Sequence, residues 1–130
     1  MNTLLVIAHG SRLKESNEEI IKFAKSIKDL SDDSFDVKYA YLELAEPSIF
    51  ESLDSCLKNN PSGKIKILPH FLARGKHVKV DIPNEIDKIK ELYKHANIEV
   101  LPHLGKIDGL AQLIINNYAL NEKWSNLNIL

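Results

Sequence analysis

Four apolar runs alternate with four stretches of helical periodicity along this chain, and few folds accommodate that alternation. The run 3–8 is free of charge and ends at His9-Gly10, the pattern of a strand buried on both faces. Ile20, Phe23, Ala24, Ile27 and Leu30 recur at helical spacing and predict a helix over 15–30. Val37, Tyr39 and Tyr41 alternate in a second strand over 36–44. Glu46-Pro47-Ser48 opens a second helix with proline in its first turn, and Ile49, Phe50, Leu53, Cys56 and Leu57 give its apolar face. A loop at 59–63 leads to a third strand over 64–69, and a polar loop follows at 73–79. Asp81 is the expected N-cap of a third helix, with Pro83 in its first turn and Ile82, Ile86, Ile89 and Tyr93 as its buried stripe. A fourth strand at 97–101 precedes a fourth helix marked by Leu110, Leu113, Ile114 and Tyr118.

Strict alternation of strands and helices predicts a parallel sheet with helices on both faces. Right-handed crossovers leave few strand orders, of which 2-1-3-4 is expected. The fold class is therefore α/β: one three-layer domain over 1–120 with a four-stranded parallel sheet. The tail at 121–130 has too weak a periodicity to assign its packing. A length of 130 residues fits one domain, and 44% hydrophobic with 27% charged residues is an ordinary globular balance.

Composition excludes several functions. The single cysteine, Cys56, rules out a disulfide framework and a cysteine-rich metal cluster. A formal net charge of -1 gives no electrostatic footprint for nucleic acid or membrane. The first apolar run is too short for a signal sequence, and no run approaches the roughly 18 apolar residues of a spanning helix. The expectation is a soluble cytoplasmic protein.

In open parallel sheets, ligands bind beyond the carboxyl ends of the strands, near the point where strand order reverses. That rule selects His9 after the first strand, Glu43 near the end of the second, His70 and His77 after the third, and His103 after the fourth. Imidazole both transfers protons and ligates metals. The chain has fifteen lysines but only two arginines, Arg12 and Arg74, each three residues from a candidate histidine. Arginine forks suit carboxylate or phosphate, so an anionic ligand is expected there.

Each residue also has a structural reading. His9 could be a satisfied histidine at a strand end, although Gly10-Ser11 after it makes a tight exit typical of a site. Glu43 either faces solvent or points into a cleft. Glu46 suits a helix N-terminus, and His95 a helix C-terminus. His70 and His103 follow prolines and can bond locally. Cys56 falls on an apolar helix stripe and reads as core.

The segments Ala8-His9-Gly10-Ser11-Arg12, Leu42-Glu43-Leu44-Ala45-Glu46-Pro47-Ser48, and Pro69 through His77 to Asp81-Ile82-Pro83 stand in one order, each at an expected strand end. Together they resemble the small class II chelatases, the short CbiX-type sirohydrochlorin cobaltochelatases and the SirB-type ferrochelatases. The resemblance covers about 118 residues. It implies insertion of a divalent metal into sirohydrochlorin, for cobalamin or sirohaem synthesis, by a chelatase-like half-unit. By that resemblance His9 is the principal metal ligand and proton acceptor, His77 the second ligand, and Glu43 the acidic partner. Arg12, Glu46 and the loop Leu72, Ala73, Arg74, Gly75, Lys76 are the implied substrate contacts. His70 departs from the family, where that position is often aliphatic, and so does Arg74-Gly75-Lys76, where small residues are common.

The chemistry agrees with these residue types. Replacing two pyrrole N–H protons by one M²⁺ needs a base and a brief resting place for the metal. Imidazole, with an unperturbed pKa of about 6.5, serves both ends. Two histidines and a carboxylate leave coordination positions open for macrocycle nitrogens. Co²⁺ and Fe²⁺ suit such ligands, as does Ni²⁺. The metal is then a substrate, with no permanently bound cofactor. One small domain supplies one wall for a flat macrocycle, so a homodimer is expected. A histidine phosphatase is the weaker enzyme alternative, because Ala8 stands where an arginine would bind phosphate. A non-catalytic metal or tetrapyrrole carrier is the other alternative.

Overall fold

The computed structural model describes the backbone of residues 1–126 and the side chains of residues 1–121. β1 (Asn2–Ala8) lies in the interior of the sheet, with Leu5, Val6 and Ile7 wholly buried. It pairs in parallel with β2 (Phe35–Tyr41) on one side and β3 (Lys64–Pro69) on the other, and β4 (Asn97–Val100) adds to β3. The order is β2-β1-β3-β4, as the alternation predicts.

Side chains one residue apart leave opposite faces of a strand, which builds two cores from one run. Leu5, Ile7, Ile65 and Ile67 meet Leu53 and Leu57 of α2 (Ile49–Asn59) and Ile82, Ile86 and Ile89 of α3 (Ile82–Leu92). Val6, Ala8 and Leu68 meet Ile20 and Ala24 of α1 (Lys14–Leu30) on the other face. The three layers are thus one helix, the sheet, and two helices.

Local chemistry moves several boundaries. β2 stops at Tyr41, so Glu43 lies in the loop beyond it rather than in a strand. Leu44 has φ 65°, a left-handed conformation that no strand sustains. Pro47 lies outside α2 instead of in its first turn. Ser48 is the N-cap, its hydroxyl accepting from the Glu51 N–H while the Glu51 carboxylate accepts from the Ser48 N–H. Asp81 caps nothing, because a single π-helical turn at His77–Asp81 runs straight into α3.

α4 (Leu110–Asn126) forms where expected but stands away from the sheet. Among the described residues, no strand or helix packs along its length. The tail at 121–130 begins inside α4, and beyond Asn126 it lies outside the described residues. No described helix is long and apolar enough to cross a membrane.

Candidate functional site

β1 has β2 on one side and β3 on the other, so the loops after these strands diverge above it and leave a cleft. His9 is the first residue past β1. The ladder continues beyond β2, with the Leu42 N–H donating to the Ala8 carbonyl at 2.9 Å and the Glu43 N–H to the His9 carbonyl at 3.0 Å. Those two bonds fix the Glu43 backbone against that of His9. The close approach needs Gly10, which has φ 95°. A Cβ there would sit 1.8 Å from the Glu43 carbonyl oxygen.

The side chains then meet. His9 Nε2 is 3.1 Å from Glu43 Oε1, and His9 Nδ1 is 2.9 Å from the Gly10 carbonyl oxygen. A carbonyl only accepts, so Nδ1 carries the proton. Nε2 and the carboxylate would then be two acceptors face to face unless a cation lies between or on them. A proton or a metal ion satisfies that pair equally.

His77 reaches the same place from the other side. The π-helical turn sets His77 and Asp81 on one face, and His77 Nδ1 donates to Asp81 Oδ2 at 2.7 Å. This bond leaves Nε2 as the lone-pair nitrogen, the arrangement that orients metal-binding imidazoles. The His9 and His77 rings are 4.9 Å apart between centroids, nearly edge to face, and Phe71 lies 5.7 Å from His77. His9, Glu43 and His77 are all partly open to solvent. Among the described residues, no group of three or more His, Cys, Asp or Glu side chains is placed to hold a metal ion.

The other sequence-selected residues divide. His70 is near the cluster but turned aside. Its N–H donates to the Ile7 carbonyl at 2.7 Å, its ring meets Phe23 edge-on at 5.2 Å, and it shares with His9, Asn17 and Phe71 the lining of a cavity of about 220 Å³. His103 is buried beneath the site loop. Next to it, the Gly105 N–H donates to the Phe71 carbonyl at 3.1 Å, and a Cβ on Gly105 would fall 1.8 Å from the Leu72 carbonyl oxygen. The short turn Leu104–Lys106 therefore braces the loop that carries His77.

Arg12 follows β1, Glu46 follows β2, and Leu72, Ala73, Arg74, Gly75 and Lys76 follow β3, all exposed. Leu13, Leu44 and Leu72 are 64, 52 and 75% exposed, which places an apolar side chain on each of these three loops. Leu13, Leu44 and the Asp81 carboxylate were not selected from the sequence. A lone leucine in a loop carries no periodic signal, and Asp81 has an obvious capping role in the sequence. Cys56 belongs to the other end of the fold, where it lines a cavity of about 630 Å³ under α2, and burial pushes its thiol up.

Comparison with known proteins bears on this geometry. The profile of the CbiX family matches residues 3–120. A sirohydrochlorin ferrochelatase of Priestia megaterium is 33% identical over 98 residues, 75% of this chain and 36% of that protein. A sirohydrochlorin cobaltochelatase of Sulfolobus acidocaldarius is 33% identical over 103 residues, 78% of this chain and 77% of the relative. The chain thus spans about a third of the Priestia protein but most of the archaeal one. Among solved structures, a CbiX protein of Marinobacter aquaeolei, described as a putative cobalamin biosynthesis protein, shares the fold with a TM-score of 0.81 at 24% identity, covering 97% of this chain and 98% of that one. The sirohydrochlorin chelatase SirB of Bacillus subtilis subspecies spizizenii, in complex with cobalt, matches at a TM-score of 0.77 and 26% identity, covering 92% of this chain and 50% of that one.

Proposed function

The chain belongs to the CbiX family, and from that premise we propose that it inserts Co²⁺ or Fe²⁺ into sirohydrochlorin. The observation that carries this reading is the pair His9 Nε2 and Glu43 Oε1 at 3.1 Å beside the His77 ring. It is a place where one cation fits and where a proton can take that cation's position.

His9 and His77 hold the incoming metal through Nε2, with Asp81 fixing the His77 tautomer. The macrocycle lies over them, and its nitrogens take the coordination positions left free. Each pyrrole N–H proton passes to the His9–Glu43 pair as the metal leaves it, so proton gain at the protein balances metal loss. Neither histidine is a thiolate, so release stays easy. Arg12, Arg74 and Lys76 pair with the carboxylates at the macrocycle rim, and Glu46, Ala73 and Gly75 line its approach. Leu13, Leu44 and Leu72 meet its apolar faces. The metal is a substrate, Ni²⁺ is a third candidate, and no resident cofactor takes part. The protein works in the cytoplasm as a homodimer, because one domain offers one wall to a flat ligand.

An anaerobic absorbance assay with sirohydrochlorin and Co²⁺, Fe²⁺ or Ni²⁺ tests the reading. Many equivalents of metallated product per protein are expected, with His9→Ala nearly inactive. A plateau at one equivalent, unchanged in His9→Ala, overturns it in favour of a carrier.

A further inference from the structure

A carboxamide from α1 reaches back into the loop that follows His9. Asn17 lies in the first turn of α1, where side chains lean toward the helix N-terminus. Its Oδ1 accepts from the Ser11 N–H at 2.9 Å, and its Nδ2 donates to the Ser11 carbonyl at 2.8 Å. A backbone N–H only donates and a carbonyl only accepts, so the two bonds leave the amide one orientation. The Asn17 backbone is itself anchored, since the hydroxyl of buried Tyr41, at the end of β2, donates to the Asn17 carbonyl at 2.7 Å. The segment between β1 and α1 is thus tied to the sheet through one side chain. Only an amide offers both a donor and an acceptor to the N–H and carbonyl of a single residue.

The consequence lies one peptide bond away. The Ser11 N–H and the Gly10 carbonyl belong to one planar trans peptide and point in opposite directions. That Gly10 carbonyl is the group that accepts from His9 Nδ1 at 2.9 Å. Asn17 Oδ1, bonded on the N–H side, therefore sets where the carbonyl side points, and a bond at one end of a peptide strengthens the bond at the other. Were the peptide turned over, a donor would face His9 Nδ1 in place of an acceptor. The imidazole proton would then sit on Nε2, where Glu43 Oε1 lies 3.1 Å away. That bond would satisfy the pair with no cation and close the Nε2 lone pair to metal. Gly10, at φ 95°, occupies a conformation that costs a glycine little, so the backbone of the turn offers small resistance of its own.

We propose that Asn17 is a positioning residue for His9: by holding the Gly10–Ser11 peptide in one orientation, it keeps His9 Nε2 free of a proton and open to a metal ion. Its consequence for turnover rests on the chelatase reading, whereas its geometry does not. NMR of the imidazole nitrogens in the metal-free whole chain reads the tautomer directly, at about pH 8.5, well above the ordinary imidazole pKa of about 6.5. In the unmodified chain, His9 should show a protonated Nδ1 and a bare Nε2, with a Ser11 amide slow to exchange. Asn17→Leu matches the amide in shape but offers no acceptor. It should move most of His9 to the Nε2–H form with an unchanged circular dichroism spectrum. Asn17→Asp keeps an acceptor for the Ser11 N–H and should keep the Nδ1–H form. In turnover, Asn17→Leu should raise KM for Co²⁺ several-fold, below the about 10–100-fold cost of losing a ligand's direct partner, and leave KM for sirohydrochlorin unchanged. An unmodified chain with Nε2–H or a freely exchanging Ser11 amide overturns the proposal. So does an Asn17→Leu chain still in the Nδ1–H form, an Asn17→Asp chain that has lost it, or equal changes in both KM values. The tautomer is read with neither metal nor macrocycle present, so a failed positioning role and a failed chelatase reading are told apart.

Discussion

His9 Nε2 faces Glu43 Oε1 at 3.1 Å while the Gly10 carbonyl fixes the proton on His9 Nδ1, so the pair is satisfied only by a cation. Glu43→Gln tests this directly. The amide can donate to Nε2, which removes the demand for a proton or a metal. With sirohydrochlorin saturating, kcat should fall about 10²–10⁴-fold, the usual range for a lost proton-transfer group. KM for the macrocycle should hardly move if Glu43 acts at the proposed cation position beside His9 and not at the rim. A variant with normal kcat would remove Glu43 from the mechanism.

The Asp81 carboxylate accepts from His77 Nδ1 at 2.7 Å, so its proposed role is to position that imidazole. Asp81→Asn keeps the shape but can turn a donor toward His77 Nδ1 and favour the wrong tautomer. The KM for metal should rise about 10–100-fold, the usual cost of losing such a partner. The KM for sirohydrochlorin should stay put, and Asp81→Glu should recover part of the loss. Equal changes in both KM values would mean that Asp81 only supports the fold.

Gly10→Ala should damage both stability and activity, because the new methyl would overlap the Glu43 carbonyl at a positive φ. The left-handed conformation and the overlap together cost about 2–4 kcal/mol. Thermal unfolding should report that loss. Turnover measured well below the melting temperature should still be depressed, since the Glu43 loop must shift away from His9.

Arg74→Glu should raise KM for sirohydrochlorin several-fold and leave kcat nearly intact. Rim pairing is alike in ground and transition states, so its loss weakens binding without slowing the chemistry. A fall in kcat alone would assign Arg74 another role.

The acid limit of the fold should depend on Tyr93. Its hydroxyl donates to Asp54 Oδ1 at 2.7 Å and ties the end of α3 to α2. That hydrogen bond, helped by Lys58, holds the Asp54 carboxyl below its ordinary value of 3.8. A carboxyl lowered in the folded state stabilises it above the unfolded value, and the contribution disappears as pH falls through the folded one. Tyr93→Phe should therefore move the acid-unfolding midpoint to higher pH, as followed by circular dichroism. An unmoved midpoint would mean the bond contributes nothing.

Much of the fold was legible because apolar periodicity acts locally. The run at 3–8 can be buried on both faces only as an interior strand, and Ile82, Ile86 and Ile89 can share a face only on a helix. Strand-end placement then selects His9, Glu43, His70, His77 and His103 without any knowledge of side-chain geometry, and the family resemblance narrows them to His9, Glu43 and His77. Local rules make Asp81 a helix cap, because aspartate stands directly before Ile82-Pro83. The π-helical turn that gives it to His77 depends on how the whole loop returns to the sheet. Leu13 and Leu44 carried no signal at all, since their meaning comes from neighbours contributed by other loops.

Sequence alone determined the α/β class, the 2-1-3-4 order and the strand ends at which the candidate histidines and Glu43 gather, because burial pattern and crossover handedness leave little choice. Tertiary structure alone decided that Gly10 admits the Glu43 backbone, that Asp81 turns to His77, and that, among the described residues, no strand or helix packs along α4. Those three outcomes depend on distances between segments far apart in the chain, which no local pattern of residues encodes.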